Sequence, residues 1–440
     1  MTTAASDRDT LEGLNRTLLL LRDHIQSEVS DFALAEGLLR TRIAVIGDRR
    51  NLRTESAQHA LVATALLSAR WGASVYVAVP DLDLLGCHAP LRGDQLGGAL
   101  LDALDDLIPG VHGSVQFPRD GVDLAVLIGD TAWSGQAMRV LRLQADAWSG
   151  TITSGTGARW AEHLSPFGAL ASAGLAAGEG FKGALGRFRR NATDVSAFDL
   201  LFAPADEATV RLAPPGSPPP RGDLGVFDCV SGGAIIQAAL YALSRIPSVS
   251  ATLRIIEPEH ADLTNLNRYA LLRRSRVGIA KAVDLAEVLP AAMSTHPLVA
   301  RYDANLRERL GSPAPRVLVG VDDIPSRWEV QRARPLWLGV GATTHYSAMA
   351  SHHVAGLGCA WCLHPKDEPY GGPIPTVSFV SHWAGLWLAS LFARERIDAR
   401  PLATHQSVYF TSLRADSATA AWFAPVLQRP DCPLECRTWK

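Results

Sequence analysis

The fold is indicated most clearly by the stretch Val226–Ser244, which reads VFDCVSGGAIIQAALYALS. Its first five residues form a largely apolar run that predicts a buried strand, and the turn Ser231–Gly233 follows it. A helix is predicted from Ala234 onwards, and a second apolar run, Thr252–Ile256, ends in Glu257. This order of strand, turn, helix and strand is a βαβ unit, which builds parallel sheets covered by helices.

The first half of the chain repeats this order of elements. Strands are predicted at Ile43–Ile46, Ser74–Val79 and Asp123–Ile128, with a helix at Ala57–Trp71 between the first two. The small-residue helix predicted in SPFGALASAGLAAGEGFKGAL corresponds to the helix predicted at Ser381–Arg394 in the second half. We therefore expect an internal duplication, and two unrelated doubly wound domains are the alternative.

A proline-rich segment separates the two halves. Five prolines in RLAPPGSPPPR, residues 211–221, exclude a helix or a central strand and indicate an extended linker. Leucines at steps of three or four predict a helix from residue 9 to about residue 40. We expect an α/β protein with two tandem Rossmann-like domains on mainly parallel sheets, after an N-terminal helix. The expected divisions are an N-terminal helical segment 1–40, a first domain 41–203, a linker 204–222 and a second domain 223–440.

The composition excludes several classes of partner. The chain has 440 residues, of which 47% are hydrophobic and 20% charged, and its formal net charge is −2. This balance gives no reason to expect nucleic acid or an anionic membrane as a partner. No apolar stretch reaches the roughly 18 to 20 residues that cross a bilayer. The start, MTTAASDRDT, does not have the pattern of a secretory signal, so we expect a cytoplasmic protein.

Charged residues of the second half follow the predicted strand ends. Glu257 ends the second strand, where a nucleotide ribose would lie, and Asp322 ends a later strand. Gly232-Gly233 opens a helix, where backbone N–H groups favour phosphate. Asn265, Arg268 and Lys281 lie between these strand ends. Together these groups suit a nucleoside triphosphate with magnesium, and solvated surface charges are the alternative.

Four of the six cysteines form two close pairs. The pairs are Cys359/Cys362 and Cys432/Cys436, and four thiolates are the ligand set of a closed, structural zinc site. Buried reduced cysteines are the alternative. Such a zinc would tie down the C-terminal tail of the second domain. Of the remaining two, Cys229 is expected in the core, since it lies inside a predicted strand.

Four ordered motifs in residues 226–440 resemble the ThiF/MoeB and ubiquitin-activating-enzyme (HesA) family. EPEHADLTNLNRY, followed by Lys281, resembles the family's D-x-D-x-V-x-x-S-N-L-x-R-Q and later lysine. VLVGVDDIPSR resembles its strand ending in D-x-x-x-x-R, and GCAWCLHP and RPDCPLECR resemble its two zinc half-sites. The resemblance implies that Arg268, Lys281 and Asp322 are catalytic, with ATP, magnesium and zinc as cofactors. It implies that the nucleotide is bound by Gly232, Gly233, Glu257, Glu259, Asn265, Arg268, Lys281 and Asp322.

The sequence departs from the family pattern at several positions. The glycine loop G-x-G-G-x-G keeps only its central pair, glutamate replaces the ribose-binding aspartate at Glu257, and Tyr269 replaces a glutamine. The first half resembles the family's inactive adenylation half, because Arg49-Arg50 stands where glycines would follow the first strand. In that family the inactive half sends an arginine to the ATP phosphates, and Arg16 and Arg22 are the candidates here.

The resemblance implies an ATP-dependent adenylyltransferase. The expected substrate is the C-terminal carboxylate of a small ubiquitin-like protein, with a conjugating enzyme as acceptor of the activated acyl group. Adenylation of a peptide or sulfur-carrier protein is a second possibility, and a non-catalytic peptide-clamping protein of the same fold is a third. The segment between Pro365 and Ser381 contains no cysteine for a thioester. The histidines His345, His352, His353, His364 and His382 are expected to be polar loop residues, and a role near the acyl acceptor is the alternative.

Overall fold

The computed structural model of the protein describes residues 2–161, 163–367, 371–397, 403–417 and 419–438. The described chain is an α/β protein with two mainly parallel sheets, as the sequence predicts. No helix within these ranges is both long enough and apolar enough to span a membrane.

The first sheet has seven strands in the order β3-β2-β1-β4-β5-β6-β7. The strands β1 to β5 are parallel, and β6 and β7 are added antiparallel at one edge. Their bounds are Arg42–Ile46 (β1), Ser74–Ala78 (β2), Gly113–Ser114 (β3), Val122–Ile128 (β4), Ala137–Ala145 (β5), Ser149–Thr153 (β6) and Glu207–Arg211 (β7).

The second sheet has eight strands in the order β10-β9-β8-β11-β12-β13-β14-β15. Again the first five are parallel and the rest antiparallel. Their bounds are Asp223–Val230 (β8), Ser250–Ile256 (β9), Met293–Leu298 (β10), Arg316–Val319 (β11), Trp337–Thr344 (β12), Ser347–His353 (β13), Ser407–Thr411 (β14) and Ala421–Ala424 (β15). The two sheets share the order third, second, first, fourth and fifth, which is compatible both with the predicted duplication and with two unrelated doubly wound domains.

The helices pack against these two sheets. In chain order, the described α-helices are Thr2–Arg22 (α1), Asp31–Leu39 (α2), Glu55–Arg70 (α3), Leu96–Asp105 (α4), Pro166–Gly186 (α5), Val195–Phe202 (α6), Ala234–Leu243 (α7), Lys281–Val288 (α8), Ala304–Leu310 (α9), Ile324–Arg332 (α10), Ala360–Leu363 (α11) and Ser378–Glu395 (α12).

The N-terminal segment forms two helices, so the prediction of one continuous helix was wrong. The chain leaves α1 after Arg22, and Ile25 makes an isolated antiparallel bridge to Ala192. Ser30 then starts α2, because its side chain accepts a hydrogen bond from the backbone N–H of Ala33 at 3.2 Å. A serine in this position satisfies an otherwise free N–H at a helix start.

The predicted linker 204–222 was too long at its beginning. Residues 207–211 form β7, which pairs with β6 and so belongs to the first sheet. Alternate residues of this strand, Ala208 and Val210, are buried, which is the pattern of a strand with one covered face. The prolines begin only at Pro214, and this later part is fastened to the first half by Trp148, whose indole N–H donates to the carbonyl of Pro218 at 2.9 Å.

The main apolar core is shared by both halves. Helices α3 and α5 of the first half and α7 and α12 of the second half pack together in one continuous cluster of buried side chains. Small residues allow α5 to approach α12 closely: a Cβ atom on Gly174 would lie 3.0 Å from the ring of Trp383. The two halves are therefore joined by a packed interior and not only by the linker.

Candidate functional site

A cavity of about 270 Å³ lies at the carboxyl ends of β8, β9 and β11. In the strand order of the second sheet, β8 and β11 are the neighbours at which the order reverses, and ligands of open α/β sheets bind at this point. A second cavity of about 450 Å³ adjoins it and shares Asp322. The wall of the first cavity includes the cations Arg16, Arg268 and Lys281 and the acids Glu257, Glu259 and Asp322.

The turn after β8 forms one side of the cavity. Ser231 adopts φ 119°, a backbone conformation that favours glycine. Gly232 donates its N–H to Glu257 Oε2 at 2.6 Å, and Gly233 donates its N–H to Ser231 Oγ at 2.9 Å. Within the described ranges no side chain caps the start of α7, so the first N–H groups of this helix, beginning at Ala234, are left for another acceptor.

The carboxylate of Glu257 is fixed behind this turn. Its side chain is buried and accepts the backbone N–H of Gly232 through Oε2 and the N–H of Glu259 through Oε1, the latter at 2.9 Å. Glu257 therefore braces the turn after β8 as well as facing the cavity. Gly232 itself does not belong to the cavity wall, whereas Gly233 does.

Lys281 begins α8 with its ammonium group inside the cavity. The side chain is only 3% exposed, and Nζ contacts the carboxylate of Glu259, whose side chain is 69% exposed. Burial lowers the pKa of Lys281, but the neighbouring phenol of Tyr269, the hydrogen bond to Glu259 and the carboxylates of Glu257 and Glu259 outweigh it, so the pKa is raised. Lys281 is therefore a cation with a nearly immobile position.

Arg268 and Tyr269 extend from a loop that follows β9. Arg268 donates from Nη1 to Asn267 Oδ1 at 2.9 Å, and its guanidinium lies 5.2 Å from the centre of the Tyr269 ring. Burial lowers the pKa of Arg268 from its ordinary value. The side chain of Asn265 accepts the backbone N–H of Asp262 at 3.1 Å, and Asn265 does not belong to the cavity wall. The structure thus brings Arg268 to the cavity but uses Asn265 to shape the loop.

Asp322 stands at the tip of the turn between β11 and α10. Arg327 fixes this turn, because Nε and Nη2 donate to the carbonyl of Val321 at 3.0 and 2.7 Å. Burial lowers the pKa of Arg327 to about 10. Asp323 is used as the cap of α10 and accepts the N–H of Ser326 at 3.1 Å. Asp322 is exposed and lies on the wall of both cavities.

Of the two candidate arginines on the first helix, the structure places Arg16 at the cavity. Burial lowers the pKa of Arg16, while Tyr269, Asp262, Asp322 and Glu259 act in the opposite direction. Its Nε atom is buried and has no hydrogen-bond partner among the described residues. A cation of the first half therefore completes a cavity of the second half.

Arg22 is not at the cavity. It donates from Nε to Asp31 at 2.9 Å, and both side chains are partly exposed at the start of α2.

The corresponding crevice of the first sheet is filled by polar side chains. Asn51 donates from Nδ2 to Asp48 at 3.0 Å, to Asp130 at 2.9 Å and to Thr131 at 3.2 Å. Its Oδ1 accepts the backbone N–H of Trp160 at 2.8 Å. These contacts occupy the carboxyl ends of β1 and β4, the position that the cavity takes in the second sheet.

The four paired cysteines come together near the C-terminus. The Sγ atoms of Cys359, Cys362, Cys432 and Cys436 all lie within 4.8 Å of one another. The Sγ–Sγ distances from Cys359 to Cys432 and from Cys362 to Cys436 are both 3.5 Å. A tetrahedral zinc with bonds of about 2.3 Å would separate its sulfur ligands by roughly 3.8 Å. The four thiols therefore fit a structural zinc ion.

Most of the histidines expected in loops are buried instead. His352 and His353 lie in β13, and His382 lies in α12. The ring of His382 is hydrogen-bonded to the carbonyl of Leu170 at 3.0 Å, and burial lowers its pKa to about 4.

The other two histidines and Cys229 are placed as follows. His345 is half exposed beside Asp23, and His364 lies on the wall of the second cavity. The expectation that Cys229 is a core residue is confirmed, and burial raises the pKa of its thiol.

Comparisons with known proteins give one similar sequence and several solved structures with partial similarity. No model of a known protein family matches the chain. It is 26% identical over 286 residues to the uncharacterized protein y4jF of Sinorhizobium fredii (strain NBRC 101917 / NGR234), which covers 62% of this chain. The match spans only 54% of that relative, so the chain accounts for about half of its length.

The similar solved structures have low sequence identity. E. coli MccB with MccA matches with a TM-score of 0.39 and 16% identity, over 48% of this chain and 66% of MccB. E. coli MccB with succinimide matches with a TM-score of 0.39 and 13% identity, over 67% of this chain and 97% of that one. PaaA matches with a TM-score of 0.37 and 10% identity, over 46% of this chain and 73% of PaaA.

Proposed function

We propose that this protein uses MgATP to adenylate the C-terminal carboxyl group of a polypeptide. The observation that carries the proposal is the meeting of Arg16, Arg268 and Lys281 with Asp322 at one cavity. These residues come from distant parts of the chain, and the cavity lies at the switch point of the second sheet. Three cations beside an uncapped helix start suit a triphosphate better than a neutral ligand.

The reaction needs charge stabilisation and positioning rather than acid–base catalysis. A carboxylate oxygen forms a bond to the α-phosphorus of ATP, the bond from that phosphorus to the β-phosphate oxygen breaks, and pyrophosphate leaves with the electron pair. No proton is transferred, because the carboxylate is already ionised. Arg16, Arg268 and Lys281 hold the phosphates and neutralise the charge that develops in the transition state.

The acids at the cavity have separate tasks in this proposal. Asp322 offers an exposed carboxylate, the ligand type that magnesium prefers, and a bound magnesium ion would offset the charge of the leaving pyrophosphate. Glu257, held by two backbone N–H groups, is fixed where a ribose hydroxyl would donate to it. Gly233 and the first turn of α7 lie against the phosphates.

The second cavity supports a polypeptide as the acyl substrate. It meets the first cavity at Asp322, so a chain end lying in it would present its carboxylate to the α-phosphate. We favour a small ubiquitin-like protein as the substrate, because the two halves form a fused pair of which the first has a filled crevice. A peptide or a sulfur-carrier protein is the second candidate.

The fate of the adenylate follows from the cysteines. Among the described residues, no cysteine is part of either cavity wall, and Cys229 is buried. We propose that the activated acyl group passes directly to an external acceptor, such as the thiol of a conjugating enzyme. The four-cysteine cluster would hold zinc as a closed, structural ion, which takes no part in this transfer.

The test is ATP–pyrophosphate exchange with a panel of small ubiquitin-like proteins and peptides. At least one member with a free C-terminal carboxylate should support exchange, and its C-terminally amidated form should not. Asp322→Ala should abolish exchange without lowering the melting temperature, while Glu308→Ala, at an exposed acid of α9, should leave it unchanged. Peptide binding without ATP-dependent exchange by the whole panel would favour a non-catalytic peptide-clamping protein instead.

A further inference from the structure

The loop that carries Arg268 and Tyr269 is held in place by the first half of the chain. Residues 266–272 form neither an α-helix nor a strand, so few of their backbone groups are satisfied by regular structure. Arg70, the last residue of α3, donates from Nη1 to the carbonyl of Leu266 at 2.7 Å. From Nη2 it donates to Ala270 at 3.2 Å and to Leu272 at 2.7 Å. One guanidinium therefore binds the loop on both sides of Arg268.

The burial of Arg70 makes this contact unusual. The side chain is 1% exposed, and the three acceptors are backbone carbonyls rather than carboxylates. Burying a cation without an anion costs several kcal/mol unless hydrogen bonds compensate. The planar group with its fixed donors can bind three carbonyls only when the loop has one particular conformation. The contact therefore selects the loop conformation as well as joining the two halves.

A second contact from the first half reaches the same loop. Asn267 donates from Nδ2 to Thr17 Oγ1 of α1 at 3.1 Å, and both side chains are buried. The other end of the amide accepts the hydrogen bond from Arg268 Nη1 at 2.9 Å. Thr17 thus orients Asn267, and Asn267 orients the guanidinium that faces the cavity.

We propose that Arg70 is a positioning residue of the nucleotide site, which sets the direction of Arg268 and Tyr269 from behind the loop. This inference rests on the proposed function, since it assigns Arg70 to the same site. It makes the affinity for MgATP depend on a residue of the first half that does not belong to the cavity wall. Arg70 acts only through the loop and touches no reacting atom.

A matched control is available at the same boundary between the halves. Arg245 is also 1% exposed and donates to two carbonyls, Tyr241 at 2.6 Å and Ala89 of the first half at 2.5 Å. It does not belong to the cavity wall, and its hydrogen bonds and ring contact among the described residues go to Tyr241, Ser244 and Ala89, outside residues 266–272. Arg245→Met should therefore remove a comparable buried arginine without disturbing the loop.

The experiment compares Arg70→Met with Arg245→Met in the full-length protein. The melting temperature measures stability, and calorimetric titration measures the dissociation constant for MgATP. Both variants should have a lower melting temperature than the original protein. Arg70→Met should in addition raise the dissociation constant for MgATP about tenfold or more, since small displacements of positioned groups have effects of this order. Arg245→Met should bind MgATP within about twofold of the original protein.

A double-mutant cycle with Arg268→Ala separates positioning from general instability. If Arg70 acts through the loop, Arg70→Met should weaken binding much less in the Arg268→Ala background than in the original protein. Should Arg70→Met not fold, Arg70→Lys serves in its place, because lysine keeps a cation but lacks the fixed set of donors that binds the three carbonyls together.

The outcomes distinguish this inference from the proposed function. Equal affinities for MgATP in the Arg70 and Arg245 variants, or strictly additive effects in the cycle, would overturn the role of Arg70. If Arg70→Met does not fold, an unchanged affinity for MgATP in Arg70→Lys would overturn it. A failure of the unaltered protein to bind MgATP would instead overturn the proposed function.

Discussion

Replacing Glu259 by glutamine should strengthen the binding of ATP. The resemblance assigns Glu259 to the nucleotide, but in the structure its carboxylate contacts the ammonium of Lys281. The side chain of Glu259 is 69% exposed and that of Lys281 only 3% exposed. Glu259 can therefore turn into solvent, whereas Lys281 cannot move away. An arriving phosphate has to displace the carboxylate from a cation that stays in place.

The size of the effect follows from two contributions. An ion pair with an exposed partner is worth about 0–1 kcal/mol, and the phosphate must replace it. A phosphate charge about 5 Å from the remaining carboxylate adds a repulsion of roughly 1 kcal/mol, because the displaced carboxylate lies in solvent with a dielectric constant near 80. Glu259→Gln keeps the shape and removes both terms. We expect the dissociation constant for MgATP to fall about 5- to 30-fold.

The assay is calorimetric titration with MgATP and, separately, with adenosine. Adenosine has no phosphate to reach Lys281, so its affinity should be the same in both proteins. The difference for MgATP should shrink at high salt, because exposed charges are screened. Glu308→Gln, at an exposed acid of α9, controls for the change in net charge. The stoichiometry should be one MgATP per chain. Equal or weaker MgATP binding by Glu259→Gln would refute the reasoning and support a direct contact between Glu259 and the nucleotide.

Three further predictions concern the arginine of the first half, the zinc cluster and the buried histidines. Arg16→Ala should lower the rate of ATP–pyrophosphate exchange about 10- to 1,000-fold, as expected for a cation on a transferring phosphate, while Arg22→Ala on the same helix should have almost no effect. The purified protein should contain one zinc per chain by elemental analysis, and replacing Cys432 and Cys436 by serine should release it and lower the melting temperature. The free energy of unfolding should decrease as the pH drops below 6.5, because burial lowers the pKa of His382 in the folded protein to about 4. The unfolded state then binds the extra proton, at a cost of about 2 kcal/mol at pH 5.

Each of these predictions has an outcome that contradicts it. If Arg16→Ala and Arg22→Ala reduced the rate of ATP–pyrophosphate exchange equally, the loss would be due to destabilisation of α1 and not to a missing contact with phosphate. A metal-free protein with an unchanged melting temperature would leave the cluster as four reduced thiols. His382→Gln should flatten the pH dependence, and an identical slope in the variant would show that other groups cause it.

The parallel strands were predictable because they are short apolar runs that end in polar or glycine residues. Ile43–Ile46 and Thr252–Ile256 are examples, and both lie within observed strands. The antiparallel strands at the edge of the second sheet were not predictable. One of them, β13, includes the buried histidines His352 and His353, which in sequence look like loop residues. Their burial depends on neighbours that are distant in sequence, and no local pattern reports it.

At the site, the residue types could be read from the sequence more easily than their contacts. The meeting of Glu257 and Asp322 at one cavity was expected from the rule that strand ends share an edge of the sheet. The hydrogen bond from the backbone N–H of Asp262 to the side chain of Asn265 was not expected, because an asparagine side chain can bind either a ligand or the neighbouring backbone. Arg70 gave no signal either, since an arginine at the end of a helix ordinarily interacts with the helix dipole and solvent.

The filled crevice of the first sheet has a consequence for the evolution of this chain. Asn51 satisfies Asp48, Asp130, Thr131 and the backbone of Trp160 at once. A single substitution that reopened the crevice would leave several of these groups unsatisfied, at about 1–3 kcal/mol for each one that stays buried. If the two halves descend from one ancestor, the first cannot return stepwise to binding a ligand without passing through less stable intermediates. On the proposed function, nucleotide binding is in this sense confined to the second half, and opening a site in the first half would require several simultaneous changes.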